Sequence, residues 1–177
     1  MRDALVDFRD TLVCRRQELE RLRHAERVER WRSAPDLAEL LQRATRRSID
    51  LWARSRGAPD FLQLRLGLGS ASTAFEITVE PGGDGELRAE APAAVDGLTQ
   101  LHDVPVTIDL VAAGVFAVHG RDRSLDGVAA SLIVQAACLH SPDDLTIVAA
   151  IDGDRPFAWL KWLPHVRSVT SPVAGPH

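Results

Sequence analysis

Residues 2–32 contain neither glycine nor proline, and this absence constrains the fold more than any other feature of the sequence. Without either residue nothing local breaks a helix, so one turn can propagate into the next. Leu5, Phe8, Leu12, Leu19 and Leu22 recur at spacings of three, four and seven, which is one stripe of a long amphipathic helix. Arg15 interrupts the stripe, while Arg16/Glu20 and Glu26/Arg30 stand four apart, where they support an exposed helical face. The segment therefore reads as a helical arm. Ser33-Ala34-Pro35-Asp36 breaks it, and Asp36 with Glu39 forms a capping-box pattern that opens a second helix through Leu37, Leu40, Leu41 and Ala44. A short further turn is predicted around Ile49, Leu51 and Trp52, and Gly57-Ala58-Pro59-Asp60 ends the helical part.

From Phe61 the period changes to two. Leu62, Leu64 and Leu66 alternate with Gln63 and Arg65, and beyond Gly69-Ser70 a second alternation runs through Phe75, Ile77 and Val79, so the two runs read as paired strands. The tract from Pro81 to Gly85 is turn-like, and a short helix is expected between Ala93 and Leu101. Val104, Val106 and Ile108 mark another strand. The last third then alternates a buried strand at Gly114–Val118, a helix at about Leu125–Leu139 and a strand at Leu145–Ile151, the pattern of a parallel sheet covered by helices. A right-handed crossover would join those last two strands. The predicted organisation is an arm at 1–57 and an α/β domain at 58–177.

Charge divides along the same line. Residues 1–56 carry 14 arginines against 10 acids, whereas residues 57–177 carry 7 bases against 15 acids, giving +4 and −8 within a net charge of −4. The interspersed acids of the first segment favour a solvated, salt-bridged helix over a surface for lipid headgroups or nucleic acid. Lys161 is the only lysine, so almost none is left for chemistry. Cys14 and Cys138 lie far apart without metal-ligand spacing and read as two reduced thiols. No stretch has the length and apolarity of a membrane span, and the acidic MRDALVDFRD start differs from a secretory leader, so a soluble, unexported segment is expected.

Four blocks carry a family likeness. Pro59-Asp60-Phe61-Leu62 with Arg65 to Gly69, then Asp103 to Leu110, Leu139 to Leu145, and Trp159 to His165 together resemble the EccC/EssC proteins, the FtsK/SpoIIIE-type motors of type VII secretion. The resemblance spans residues 59–165, and the Arg-rich helix before it is similar to the family's membrane-proximal stalk. It implies an incomplete P-loop NTPase-like (RecA-like) α/β sheet with flanking helices, on the cytoplasmic side of the cell membrane. The implied partners are other type VII core proteins and ATPase domains, with homo-oligomerisation an option and membrane contact only through neighbouring segments. Membrane helices before the stalk and the later tandem ATPase domains of a full motor are not in this sequence.

A working phosphate loop needs GxxxxGK[ST] between a strand and a helix. Its glycines let backbone N–H groups approach the phosphates, its lysine neutralises them and its hydroxyl holds magnesium. Counting from Gly120 in Gly120-Arg-Asp-Arg-Ser-Leu-Asp-Gly127 places Leu125 at the second glycine, Asp126 at the lysine and Gly127 at the hydroxyl. Asp126 reverses the required charge, a change of several kcal/mol in a partly desolvated site. Arg121 and Arg123 offer partial compensation but read first as turn arginines paired with Asp122 or Asp126. Asp152 and Asp154 close the strand after the first helix and read as turn formers rather than as the acid that holds magnesium.

His119, His140, Ser124 and Ser131 lack the companions that catalysis needs, and the two histidines read as hydrogen-bonding boundary residues. Trp159 and Trp162, flanking Lys161, form an amphipathic turn that either anchors a partner or packs on its own sheet. The sequence thus predicts a non-catalytic interaction module with no cofactor. The alternatives are an ATPase-like domain that binds ATP and magnesium only with a partner chain, and an FtsK-type DNA-associated fragment. The acidic α/β part and the lack of a basic–aromatic patch disfavour nucleic acid.

Overall fold

The computed structural model describes residues 2–79, 87–120, 123–151 and 157–167; the side chains of residues 2–5, 87–89 and 123 are outside that description. The elements are α1 (Arg2–Ser33), α2 (Leu37–Arg46), β1 (Gln63–Ser72), α3 (Leu87–Val95), β2 (Gln100–Asp109), α4 (Leu110–Ala113), α5 (Arg123–Leu139) and a 3-10 turn at Ala158–Trp162. They form two compact units, Met1–Ser33 with Gly67–Val106 and Ala34–Leu66 with Thr107–His177. β1 and β2 contribute residues to both.

The fold is mixed α/β, and its sheet has two strands, β1 beside β2. Their pairing is antiparallel, since Ser70 meets His102, Ser72 meets Gln100 and Thr73 meets Thr99. β1 continues through Gly67 and Gly69 where two separate strands are predicted, because its partner is β2 rather than the alternating run at Phe75–Val79, which forms no strand. Gly69 is required by close approach, as a Cβ there would stand 3.0 Å from Val106 Cγ2. β2 stops where the Asp109 side chain accepts the Ala112 N–H at 2.9 Å and starts α4. Gly114, at φ 65°, ends α4 by donating its N–H to Leu110 at 3.0 Å.

In the first unit α1 packs on α3, with Phe8, Leu12 and Leu19 of the predicted stripe half-buried, Leu22 exposed, and Leu98, Leu101 and Val104 buried. The helix expected at Ala93–Leu101 lies earlier, as α3, and β2 takes over from Gln100. Four arginines of α1 recur every seven residues and all point at acceptors of this unit. Arg9 pairs with Glu90 at 2.7 Å, Arg16 donates to Ala94 O at 3.0 Å, Arg23 to Gln100 O at 2.7 Å and Arg30 to Ser72 O at 2.7 Å. Two of them also make the predicted intrahelical pairs, Arg16 with Glu20 at 3.0 Å and Arg30 with Glu26 at 2.9 Å. Glu26 accepts the Ala74 N–H as well, at 3.0 Å.

In the second unit α2 packs on α5, around a core of Leu40, Leu64, Ala136 and Leu139 bordered by Ile108, Leu110, Leu132 and Leu145. Asp36 caps α2 by accepting the Glu39 N–H at 2.9 Å. The reciprocal half of the capping box is replaced, because the Glu39 carboxylate turns to Arg43.

The parallel sheet expected in the last third is corrected. Gly114–Val118 forms no strand, and Leu145–Ile151 makes one isolated parallel bridge, Ile147 with Val166. Both runs have the apolar composition of buried strands, yet Val115 is 87% and Val148 62% exposed. Apolar composition states that a segment can be buried; it does not supply the neighbour whose ladder it would join.

Candidate interaction site

The C-terminal end of α5 organises the second unit. The last four carbonyls of a helix have no partner within it, and here each acquires one. Ala136 O accepts from the His140 ring at 2.9 Å and Ala137 O from Trp52 Nε1 at 3.0 Å. Cys138 O accepts from the Trp52 N–H at 3.0 Å and Leu139 O from the Arg54 N–H at 2.9 Å. Trp52 therefore serves as a cap through two donors, and its φ of 60° is the backbone cost of aiming both.

One side chain of α5 imitates a strand. Gln135 is 3% exposed; its carbonyl accepts the Arg65 N–H at 2.7 Å and its amide donates to Arg65 O at 2.9 Å. It occupies the place of a strand neighbour for one residue of β1, and Ser131 Oγ takes a further proton of the same amide at 3.2 Å.

His140 is fully buried and fixed at both nitrogens. Nδ1 faces Ala136 O and so carries the proton, while Nε2 accepts the Leu62 N–H at 3.0 Å. The Nδ1–H bond survives in either charge state, but the bond accepted by Nε2 exists only for the neutral ring. Burial, and then the positive charge of Arg54, pull its pKa below the ordinary histidine value, against the opposing effects of the Ala136 carbonyl and Asp60. Phe61 packs edge-on against the ring with centroids 4.9 Å apart. His165, also buried, donates Nε2–H to the His140 carbonyl at 2.8 Å, and Trp52 packs edge-on against it at 6.2 Å. Arg54 is buried beside Asp60, Nε to Oδ2 3.0 Å, and donates to Gln63 O. Burial lowers its pKa while Asp60 raises it.

The phosphate-loop positions fall at the start of α5. Gly120 precedes the helix, and a Cβ there would meet Leu125 Cδ1 at 3.6 Å. Leu125 and Asp126 are half-buried in the first turns, where an acid suits the positive end of the helix dipole. Gly127 is exposed with open space beside it. Arg121 lies outside the described residues, as do Asp152 and Asp154, and so does the side chain of Arg123. His119 and Ser124 are exposed. Trp159 is half-buried, with its ring 6.5 Å from Phe157, whereas Trp162 is 71% exposed beneath Lys161 Nζ at 5.3 Å.

Sequence reasoning missed Gln135, Trp52 and the arginine heptad. The spacing of Arg9, Arg16, Arg23 and Arg30 is visible in the sequence; their acceptors, three of them backbone carbonyls, are not. Among the described residues no group of three or more His, Cys, Asp or Glu side chains is placed to hold a metal ion, and no helix is long and apolar enough to cross a membrane.

These features define a helix-led, mixed α/β protein whose conspicuous side chains bind its own backbone. Its relatives are specific. The chain is 34% identical to the ESX-4 secretion system protein EccC4 of Mycobacterium tuberculosis over 123 residues, 65% of this chain and 10% of that protein. It is 32% identical to the ESX secretion system protein EccC of Thermomonospora curvata over 126 residues, 65% of this chain and 9% of that protein. With the ESX secretion system protein EccC of Geobacillus thermodenitrificans it shares 26% identity over 175 residues, 95% of this chain and 12% of that protein. No protein-family model matches the chain. Over 65–95% of its length the chain is thus homologous to EccC proteins of ESX, or type VII, secretion systems. It spans about a tenth of the length of the relatives it matches.

Proposed function

We propose that the chain is a non-catalytic docking module of a type VII secretion motor, joining a membrane-proximal helical stalk to ATPase units at the cytoplasmic face of the membrane. The observation that carries this reading is the exposure of Val115 and Val148 in two apolar runs without a strand ladder, one on either side of α5 in the sequence. An exposed apolar run outside a sheet ladder is a segment to which a partner's strand can be added. In this reading Gly114–Val118, α5 and Leu145–Ile151 provide a strand, a helix and a strand of a RecA-like sheet that an ATPase-like unit completes. Trp162 adds an exposed aromatic anchor nearby in sequence.

The phosphate-loop positions support the non-catalytic part. A nucleotide approaching Asp126 meets a carboxylate where a lysine is needed, and Leu125 removes the second glycine. The function needs neither ATP nor magnesium at this chain.

Calorimetric titration with the ATPase domains of an EccC protein tests the reading. Binding is expected with and without MgATP, and Val115→Asp with Val148→Asp is expected to weaken it about tenfold or more. Failure to bind, or binding that needs nucleotide held by this chain, contradicts it.

A further inference from the structure

The second unit contains a buried imidazole that only one protonation state fits. His140 Nε2 accepts the Leu62 N–H while Nδ1–H is donated to Ala136 O, so the ring has no free acceptor for a second proton. A proton on Nε2 would oppose the Leu62 N–H directly, donor against donor, in a site without solvent access.

Leu62 is not an ordinary position. Its φ is 56°, a left-handed backbone that a leucine adopts at a cost of about 1 kcal/mol or more, and it stands immediately before β1. Its carbonyl accepts the Leu110 N–H at 3.2 Å, next to the end of β2. The bond to His140 therefore holds the residue from which the pairing of β1 with β2 in this unit starts. On the other side, His165 donates to the carbonyl of His140 itself and brings in the segment after the 3-10 turn, where the Ile147–Val166 bridge forms. Three separate stretches of chain thus converge on one residue.

We propose that His140, braced by His165, is a pH-sensitive latch: neutral, its Nε2 holds the Leu62 turn on the end of α5, and protonated, it releases that turn. The groups facing it are Arg54 from the turn after α2, Asp60 from the turn before β1, and His165. Arg54 is ion-paired with Asp60 at 3.0 Å, so the carboxylate that would stabilise an imidazolium is already engaged by a guanidinium. The latch is independent of the docking role, because it concerns only bonds within this unit.

The sign follows from linkage. The folded-state pKa of His140 lies below its unfolded value of about 6.5, so the latch contributes fully above about pH 6.5 and is lost as pH falls below it. The loss approaches about tenfold in the opening equilibrium per pH unit, until the folded-state pKa is reached.

Residue-resolved amide exchange on the whole chain, corrected for intrinsic rates, tests this between pH 7.5 and 5.0. Protection at the Leu62 and Arg54 amides is expected to be constant down to about pH 6.5 and then to fall toward tenfold per unit. H140Q, whose amide can accept the Leu62 N–H without titrating, is expected to lose that slope. Level protection in the unaltered protein, or an equal slope in H140Q, overturns the latch. Should H140Q not fold, the His140 ring followed by NMR in the unaltered protein decides: a midpoint below about 6.5 supports the latch and one at or above it overturns it.

Discussion

The two units solve the same problem, fastening a helix to neighbouring chain, with opposite electrostatics. In the first, α1 is fastened by charged groups that stay near solvent: guanidinium forks every seven residues reach carbonyls of Ala94, Gln100 and Ser72 and the carboxylate of Glu90. In the second, the end of α5 is fastened by buried polar side chains with almost no solvent access, Gln135, His140 and His165. Exposed charge-assisted bonds contribute little individually and are screened by salt. Buried neutral bonds resist salt but are costly to leave half made. The first fastening is therefore graded and ionic, and the second is close to all-or-none and sensitive to protons.

The largest expected effect breaks the second unit from inside. Gln135→Leu keeps the volume but removes the two hydrogen bonds that the side chain makes to the N–H and the C=O of Arg65, and about 2–4 kcal/mol of stability is expected to be lost in denaturant unfolding. A loss under about 0.5 kcal/mol would mean that the side chain merely fills space.

Acid acts next. Lowering pH from about 6.5 to 5.5 is expected to cost the second unit up to about 1.4 kcal/mol through His140, while the Arg9–Glu90 pair persists. The hydrogen bond from Arg9 holds the Glu90 carboxyl below its usual range, so its contribution is present above the unfolded value of about 4.3 and lost only as pH falls through the lower folded value. Equal acid sensitivity at probes in both units would erase the contrast.

Salt should act the other way round. Arg16→Ala with Arg23→Ala is expected to cost about 1–2 kcal/mol at low ionic strength, read from amide protection along α1. Raising NaCl should shrink that difference while leaving the effect of Gln135→Leu unchanged. The smallest effect is a gain: Arg47 ends α2 at φ 49°, so Arg47→Gly is expected to add about 0.5–1 kcal/mol in thermal unfolding.

The parts of this molecule that were legible in its sequence are those fixed by local chemistry. The run without glycine or proline became α1, the Asp36 cap opened α2, the Val104–Ile108 alternation became β2, and the apolar run to Leu139 became α5. Reading failed where the answer lay in a distant partner. Gln135 looks like any helical polar residue until Arg65 is opposite it, and the arginine heptad looks like solvation until its carbonyls are known. His140 was readable as a hydrogen-bonding residue at a helix boundary, which is where it stands, but its partner Leu62 was not. The misread strands, Gly114–Val118 and Leu145–Ile151, carry the apolar composition of buried strands and lack a ladder.

Those two runs bear the central claim. Amide exchange across residues 114–118 and 145–151, measured with the chain alone and with EccC ATPase domains added, tests it most directly. The docking account predicts a large rise in protection in both runs, alternating along the backbone as strand pairing requires. Binding that leaves both runs as open to exchange as in the isolated chain would contradict it.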